Sequence, residues 1–142
     1  MLSIEQIKAF LPHREPMLLL TEAGMDAEGA AQGRYRVRGD EPFLQGHFPG
    51  FPVVPGVILC EMIAQSAGIL VKDELAKGLL PLFAGMEGVR FRRMVRPGDT
   101  VETRCRLLRV SGQLIKVRGE ARVDGQVCAE GVFLLMLSGR EA

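Results

Sequence analysis

Residues 57–71 form a run of fifteen in which only Glu61, Gln65 and Ser66 are polar, and this one segment limits the folds open to the chain. A helix that is apolar on nearly every face must be covered on nearly every face. Fifteen residues also fall short of the roughly 20 needed to span a bilayer. The segment therefore reads as the buried helix of a soluble protein with no membrane insertion. Pro55 near its first turn and Gly78 at its end extend it to about residues 56–77.

What covers the helix is β-rich. Short strands are predicted at residues 17–20 and 31–37, linked by the turn-forming stretch 26–29. Four more are predicted at 82–91, 100–110, 114–123 and 127–137, with Pro97-Gly98-Asp99, Ser111-Gly112 and Asp124-Gly125 as short antiparallel connections. Ile115, Val117, Ala121 and Val123 alternate with Lys116, Arg118, Glu120 and Arg122, so one sheet face is wet and the other meets the helix. Ser3 before Ile4, Ile7, Phe10 and Leu11 predicts a short capped helix stopped by Pro12. The expected fold is α+β: a single domain over residues 1–142, with one long central apolar helix wrapped by an antiparallel sheet of five or six strands.

Charge and cysteine content narrow the function. A net charge of +1 with arginines spread along the chain lacks the electrostatic footprint of a nucleic-acid binder. The first residues mix Glu5, Gln6 and Lys8 among apolar ones, unlike a signal peptide, so a cytoplasmic location is expected. Cys60, Cys105 and Cys128, odd in number and widely spaced, suit reduced core thiols, and no zinc-binding pattern is present.

The chemistry is concentrated where the helix begins. Residues 39–56 hold four Gly and four Pro, which forbids regular structure, while Phe43, Leu44, Phe48, Phe51, Val53 and Val54 are too apolar to be left in water. An ordered, functional loop is expected. His47 lies within it, held between Gly46 and Phe48-Pro49, and histidine is the side chain suited to take a proton near neutral pH. Glu61 follows 14 residues later on the apolar helix, where the charged form of a carboxyl is disfavoured and a general acid can be prepared. Gln65, one turn on, can orient it. The N–H of Gly56, free at the helix start, can hold a carbonyl oxygen. His13, beside Arg14, reads as a turn residue. A base, an acid and an oxyanion donor suit elimination or isomerisation beside a carbonyl, and the absence of a nucleophile elbow or dinucleotide fingerprint implies that no cofactor or metal takes part.

The segments Leu11-Pro12-His13-Arg14, Glu41-Pro42-Phe43-Leu44-Gln45-Gly46-His47-Phe48-Pro49-Gly50, Pro55-Gly56-Val57, Glu61 through Gln65, Phe83-Ala84-Gly85 and Arg96-Pro97-Gly98-Asp99 resemble those of the FabZ-type (3R)-hydroxyacyl-[acyl-carrier-protein] dehydratases. The resemblance spans nearly the whole chain. It implies the hot dog fold, pairing into homodimers and a trimer of dimers, and removal of water from a 3-hydroxyacyl thioester on acyl carrier protein to give the trans-2-enoyl thioester of fatty-acid elongation. By the same resemblance His47 is the base, oriented by the Val53 carbonyl, and Glu61 is the acid, steadied by Gln65. Gly56 holds the thioester oxygen, Phe83 lies along the acyl tunnel, and the two catalytic groups of a site come from different subunits. A Glu acid favours this branch over the related dehydratase-isomerases, although added trans-2/cis-3 isomerase activity is an alternative. An acyl thioesterase and a non-catalytic acyl-binding subunit on the same fold are the others. The chain departs from the pattern at Glu15, Met17, Leu20-Thr21-Glu22, Pro81-Leu82 and Met94. Arg90, Arg92, Arg93 and Arg96 are candidates for docking an acidic carrier, with Arg93 expected on the opposite face from the rest.

Overall fold

The computed structural model describes residues 1–139. A five-residue helix α1 (Ile4–Lys8) opens the chain, closed by a reciprocal cap in which the Gln6 N–H donates to Ser3 Oγ and the Ser3 N–H donates to Gln6 Oε1. Strands β1 (Glu22–Met25), β2 (Ala31–Arg36), β3 (Leu80–Phe91), β4 (Thr100–Ser111), β5 (Leu114–Val123) and β6 (Gln126–Ser138) form one antiparallel sheet in the order β1-β2-β4-β5-β6-β3. The helix α2 (Gly56–Ala67) lies across β2, β4, β5 and β6, as the fifteen-residue apolar run requires. Among the described residues no helix is long and apolar enough to cross a membrane.

Two glycines let α2 approach the sheet. A Cβ at Gly119 would overlap Ile63, and one at Gly33 would stand 2.6 Å from Leu20, 2.7 Å from Thr103 and 3.1 Å from Ser66. Bare backbone at those points brings the helix down onto the strands. The alternation on β5 sorts as expected, with Ile115, Val117 and Ala121 buried. Cys60, Cys105 and Cys128 are all buried and free, and burial pushes the Cys105 thiol up to about 12.

Three expectations are corrected. Residues 17–20 are not a strand, and the first strand is β1. Leu18, Leu19 and Leu20 are buried, but the Leu19 N–H donates to Gln65 Oε1 and the Met17 carbonyl accepts from Gln65 Nε2, so a side chain satisfies backbone groups that a neighbouring strand would otherwise pair. The central helix is not continuous over residues 56–77. After α2 the turn tightens to 3-10 at Gly68–Val71 before α3 (Lys72–Ala76). Gly68 is a poor helix former and a Cβ there would stand 3.0 Å from Leu11, while Ile69 and Val71 both stay buried. Finally, Pro97-Gly98-Asp99 does not join neighbouring strands. β3 pairs with β6 at the sheet edge, so residues 92–99 carry the chain back across the sheet, pinned where the Val54 N–H donates to the Val95 carbonyl and the Val37 N–H to the Asp99 carbonyl.

Candidate active site

The loop before α2 is held at both ends. At its start Glu41, 1% exposed, accepts from the Tyr35 hydroxyl at 2.7 Å and from the Arg38 and Gly39 N–H groups at 2.8 Å each. Burial by itself would raise the Glu41 pKa, and these hydrogen bonds outweigh it and hold the carboxyl below the usual range. Tyr35, buried and bonded to that carboxylate, is pushed up. At the far end the Val54 N–H reaches Val95. Glu41 stood in the motif without a role; a carboxylate between a tyrosine six residues back and two N–H groups is recognisable as an anchor only once the chain turns on itself at Gly39, φ +118°.

Between these anchors Gly46 and Gly50 take left-handed backbone, φ +76° and +81°, and so does Phe48 at φ +57°, a conformation uncommon for a bulky residue. The turn aims the imidazole between them. His47 Nδ1 is 3.0 Å from the Val53 carbonyl. A carbonyl only accepts, so Nδ1 carries the proton and Nε2 keeps a lone pair, the tautomer a base needs.

Glu61 faces a cavity of about 150 Å³ lined by His13, Gln65, Pro81, Leu82, Phe83 and Leu135, with Ala64 between the turns. Its side chain is 22% exposed. Gln65 Nε2 donates to Glu61 Oε2 at 2.9 Å, the one-turn pairing expected from their spacing. Phe83 lies at the cavity and packs edge-on against buried Phe133 at 6.0 Å. Pro81 and Leu82 stand in the same wall.

His13 is not the turn residue it resembles. That work is done by Arg14, whose guanidinium donates to the carbonyls of Leu11, His13 and Lys8, while the His13 ring turns inward to within 3.3 Å of Glu61 Oε2. No local signal marks this, because Arg14 to Met17 beside it are exposed and the contact is with a helix 48 residues on. His47, by contrast, does not line the Glu61 cavity of its own chain.

Gly56 opens α2, where its N–H has no acceptor within the helix. A Cβ on Gly56 would stand 2.7–2.9 Å from the Phe91 ring, so this glycine also makes room for β3. The arginines are rearranged relative to expectation. β3 ends at Phe91, and beyond it Arg92, Arg93 and Arg96 line one groove of about 700 Å³ with Phe91 and Met94, without Arg90. Arg92 Nε is 2.6 Å from Glu130, and the Arg96 guanidinium sits 5.1 Å over the Phe51 ring. Arg93 thus shares a surface with Arg92 and Arg96 because strand alternation stops before it. No group of three His, Cys, Asp or Glu side chains among the described residues is placed to hold a metal ion.

Comparison with known proteins extends these observations. The model of the FabA-like domain matches residues 11–132. A protein of Nitratidesulfovibrio vulgaris named 3-hydroxyacyl-[acyl-carrier-protein] dehydratase FabZ is 46% identical over 144 aligned residues, 99% of this chain and 94% of its own. One of the same name from Caldicellulosiruptor bescii is 41% identical over 96% of this chain and 99% of its own. Among solved structures, the dehydratase heterocomplex ApeI:P from Xenorhabdus doucetiae aligns with a TM-score of 0.80 at 22% identity, covering 94% of this chain and 91% of that one. The architecture, a helix wrapped by an antiparallel sheet, is the α+β hot dog fold. The chain belongs to the FabZ-type dehydratases of the FabA-like family, which are hydro-lyases.

Proposed function

We propose that the protein removes water from a (3R)-3-hydroxyacyl thioester on acyl carrier protein, giving the trans-2-enoyl thioester, without a cofactor. His47 Nε2 takes the proton from the α-carbon. The electron pair of that C–H bond forms the double bond, the C–O bond at the β-carbon breaks, and the hydroxyl leaves as water with the proton of Glu61. The Gly56 N–H holds the thioester oxygen as charge builds on it. Gln65 orients Glu61, the Val53 carbonyl orients His47, and Phe83 borders the acyl chain. The observation that carries the reading is Glu61 held by Gln65 at the wall of an otherwise mainly apolar cavity. Nothing in simple acyl binding calls for a carboxyl there.

The reading includes a homodimer with sites shared between subunits, further assembled as a trimer of dimers in the cytoplasm. Pairing is supported by β3, a sheet edge on which Leu82, Phe83, Met86 and Phe91 are 39–55% exposed, because an apolar edge strand in water invites a partner. Sharing is supported by the absence of His47 from the Glu61 cavity of its own chain. Docking of the acidic carrier is supported by Arg92, Arg93 and Arg96 around one groove.

The test is hydration of crotonyl-coenzyme A followed in the ultraviolet, with a free-thiol assay beside it. Loss of the enoyl absorbance without thiol release is expected. Thiol release would mark a thioesterase, and neither signal would mark an acyl-binding protein.

A further inference from the structure

Glu61 has a second polar neighbour besides Gln65. His13 Nε2 lies 3.3 Å from Glu61 Oε2, the same oxygen that takes the Gln65 hydrogen bond. Oε2 is met from two sides, and neither contact is made to Oε1. The other ring nitrogen of His13, Nδ1, is buried without a hydrogen-bond partner among the described residues. Orphaned N–H groups are rarer in protein interiors than unused acceptor lone pairs, which puts the proton of the neutral ring on Nε2, where it can only donate. The sealed Nδ1 also excludes a shuttle, since a relay needs a proton path at each nitrogen.

We propose that His13 is a positioning residue which, with Gln65, makes Glu61 Oε2 the permanent acceptor and so assigns the transferable proton to Oε1. The inference rests on the reading of Glu61 as the general acid. A carboxyl free to carry its proton on either oxygen is part of the time aimed away from the substrate, and the Gln65 hydrogen bond to Oε2, with the Nε2–H dipole of His13 3.3 Å from the same oxygen, biases the proton to Oε1. In the transfer step the O–H bond at Oε1 breaks, its electron pair stays on the carboxylate, and the proton joins the departing hydroxyl to make water. The Gln65 hydrogen bond and the nearby His13 N–H dipole then stabilise the carboxylate left behind.

The test compares His13→Gln, whose amide N–H reaches about as far as Nε2, with His13→Asn, which is one bond shorter. Each is made in the full chain and assayed by hydration of crotonyl-coenzyme A. The Asn variant is expected to lose about 10- to 100-fold in kcat with KM within about twofold of wild type, and the Gln variant to recover to within about threefold. In a Glu61→Gln background the Asn change should remove nothing further from the residual rate, because the group it positions is gone. Equal kcat for the Gln and Asn variants, or an Asn loss undiminished in the Glu61→Gln protein, overturns the role. Near wild-type activity of Glu61→Gln alone overturns the acid reading and this inference with it. An inactive Glu61→Gln beside an unaffected His13→Asn overturns the inference only. Where the Asn variant fails to fold, His13→Ala is read against the same Gln variant.

Discussion

Gln65 Nε2 donates to Glu61 Oε2 at 2.9 Å, one helical turn away, and through Gln65 the carboxyl is tied to a segment far along the chain. The same nitrogen donates to the Met17 carbonyl at 2.7 Å, and Gln65 Oε1 accepts from the Leu19 N–H at 2.8 Å. One amide thus serves the site and the core. Gln65→Leu is expected to strand the Met17 carbonyl and the Leu19 N–H, at about 1–3 kcal/mol each. Urea denaturation should report a loss of about 2–6 kcal/mol in sum, and kcat should fall with it. A stability change below about 1 kcal/mol would contradict this double role.

Sharing of sites between subunits makes a quantitative demand. His47→Ala and Glu61→Ala should each lose about 10²–10⁴ of the rate with the fold intact. Unfolded together and refolded at equal amounts, the two inactive proteins should regain about a quarter of wild-type activity, because half the random dimers are mixed and half of their sites are whole. No recovery, with mixed dimers proven by mass spectrometry, would mean that each chain carries a complete site.

Gly56 and Phe91 should behave as a pair. Gly56→Ala drives a Cβ into the Phe91 ring, an overpacking that costs about 1–3 kcal/mol. Adding Phe91→Leu should return both the thermal midpoint and the hydration rate, since the Gly56 N–H itself is untouched. Restored stability with activity still lost would show that the substrate also needs the space above Gly56.

The Glu41 anchor sets an acid limit. Its carboxyl is held below its unfolded value by the Arg38, Tyr35 and Gly39 donors acting against burial. Its contribution to stability is therefore fully present above the unfolded pKa, and it is lost as pH falls through the depressed folded one. Between about pH 6 and pH 3, the denaturation midpoint of wild type should drop further than that of Glu41→Gln. Parallel pH curves would remove Glu41 from the acid transition.

If Arg92, Arg93 and Arg96 receive an acidic carrier, added salt should lower kcat/KM for the carrier-linked substrate more steeply than for the coenzyme A thioester. Parallel salt curves would argue against docking at this groove.

Local signals were enough for the parts of this protein that depend on neighbouring residues. The α2 core was readable from its apolar run, β4 to β6 from alternation and their Gly-containing turns, and the pairing of Glu61 with Gln65 from one helical turn. The aimed loop at His47 could be read from its glycines and prolines, whose backbone limits are intrinsic. What the tertiary structure decided involves partners distant in the chain. The segment Met17 to Leu20 has strand-like composition, but Gln65 pairs its backbone from 46 and 48 residues away. Leu80 to Phe91 moved to the far edge beside β6, a choice of partner that alternation alone cannot encode. Arg93 joined Arg92 and Arg96 because the strand stopped at Phe91. His13 looks like a turn residue until the fold lays its ring against Glu61. Short-range backbone and side-chain preferences act over a few residues and are written locally, whereas the placement of a side chain against a distant helix is settled by the packing of the whole core.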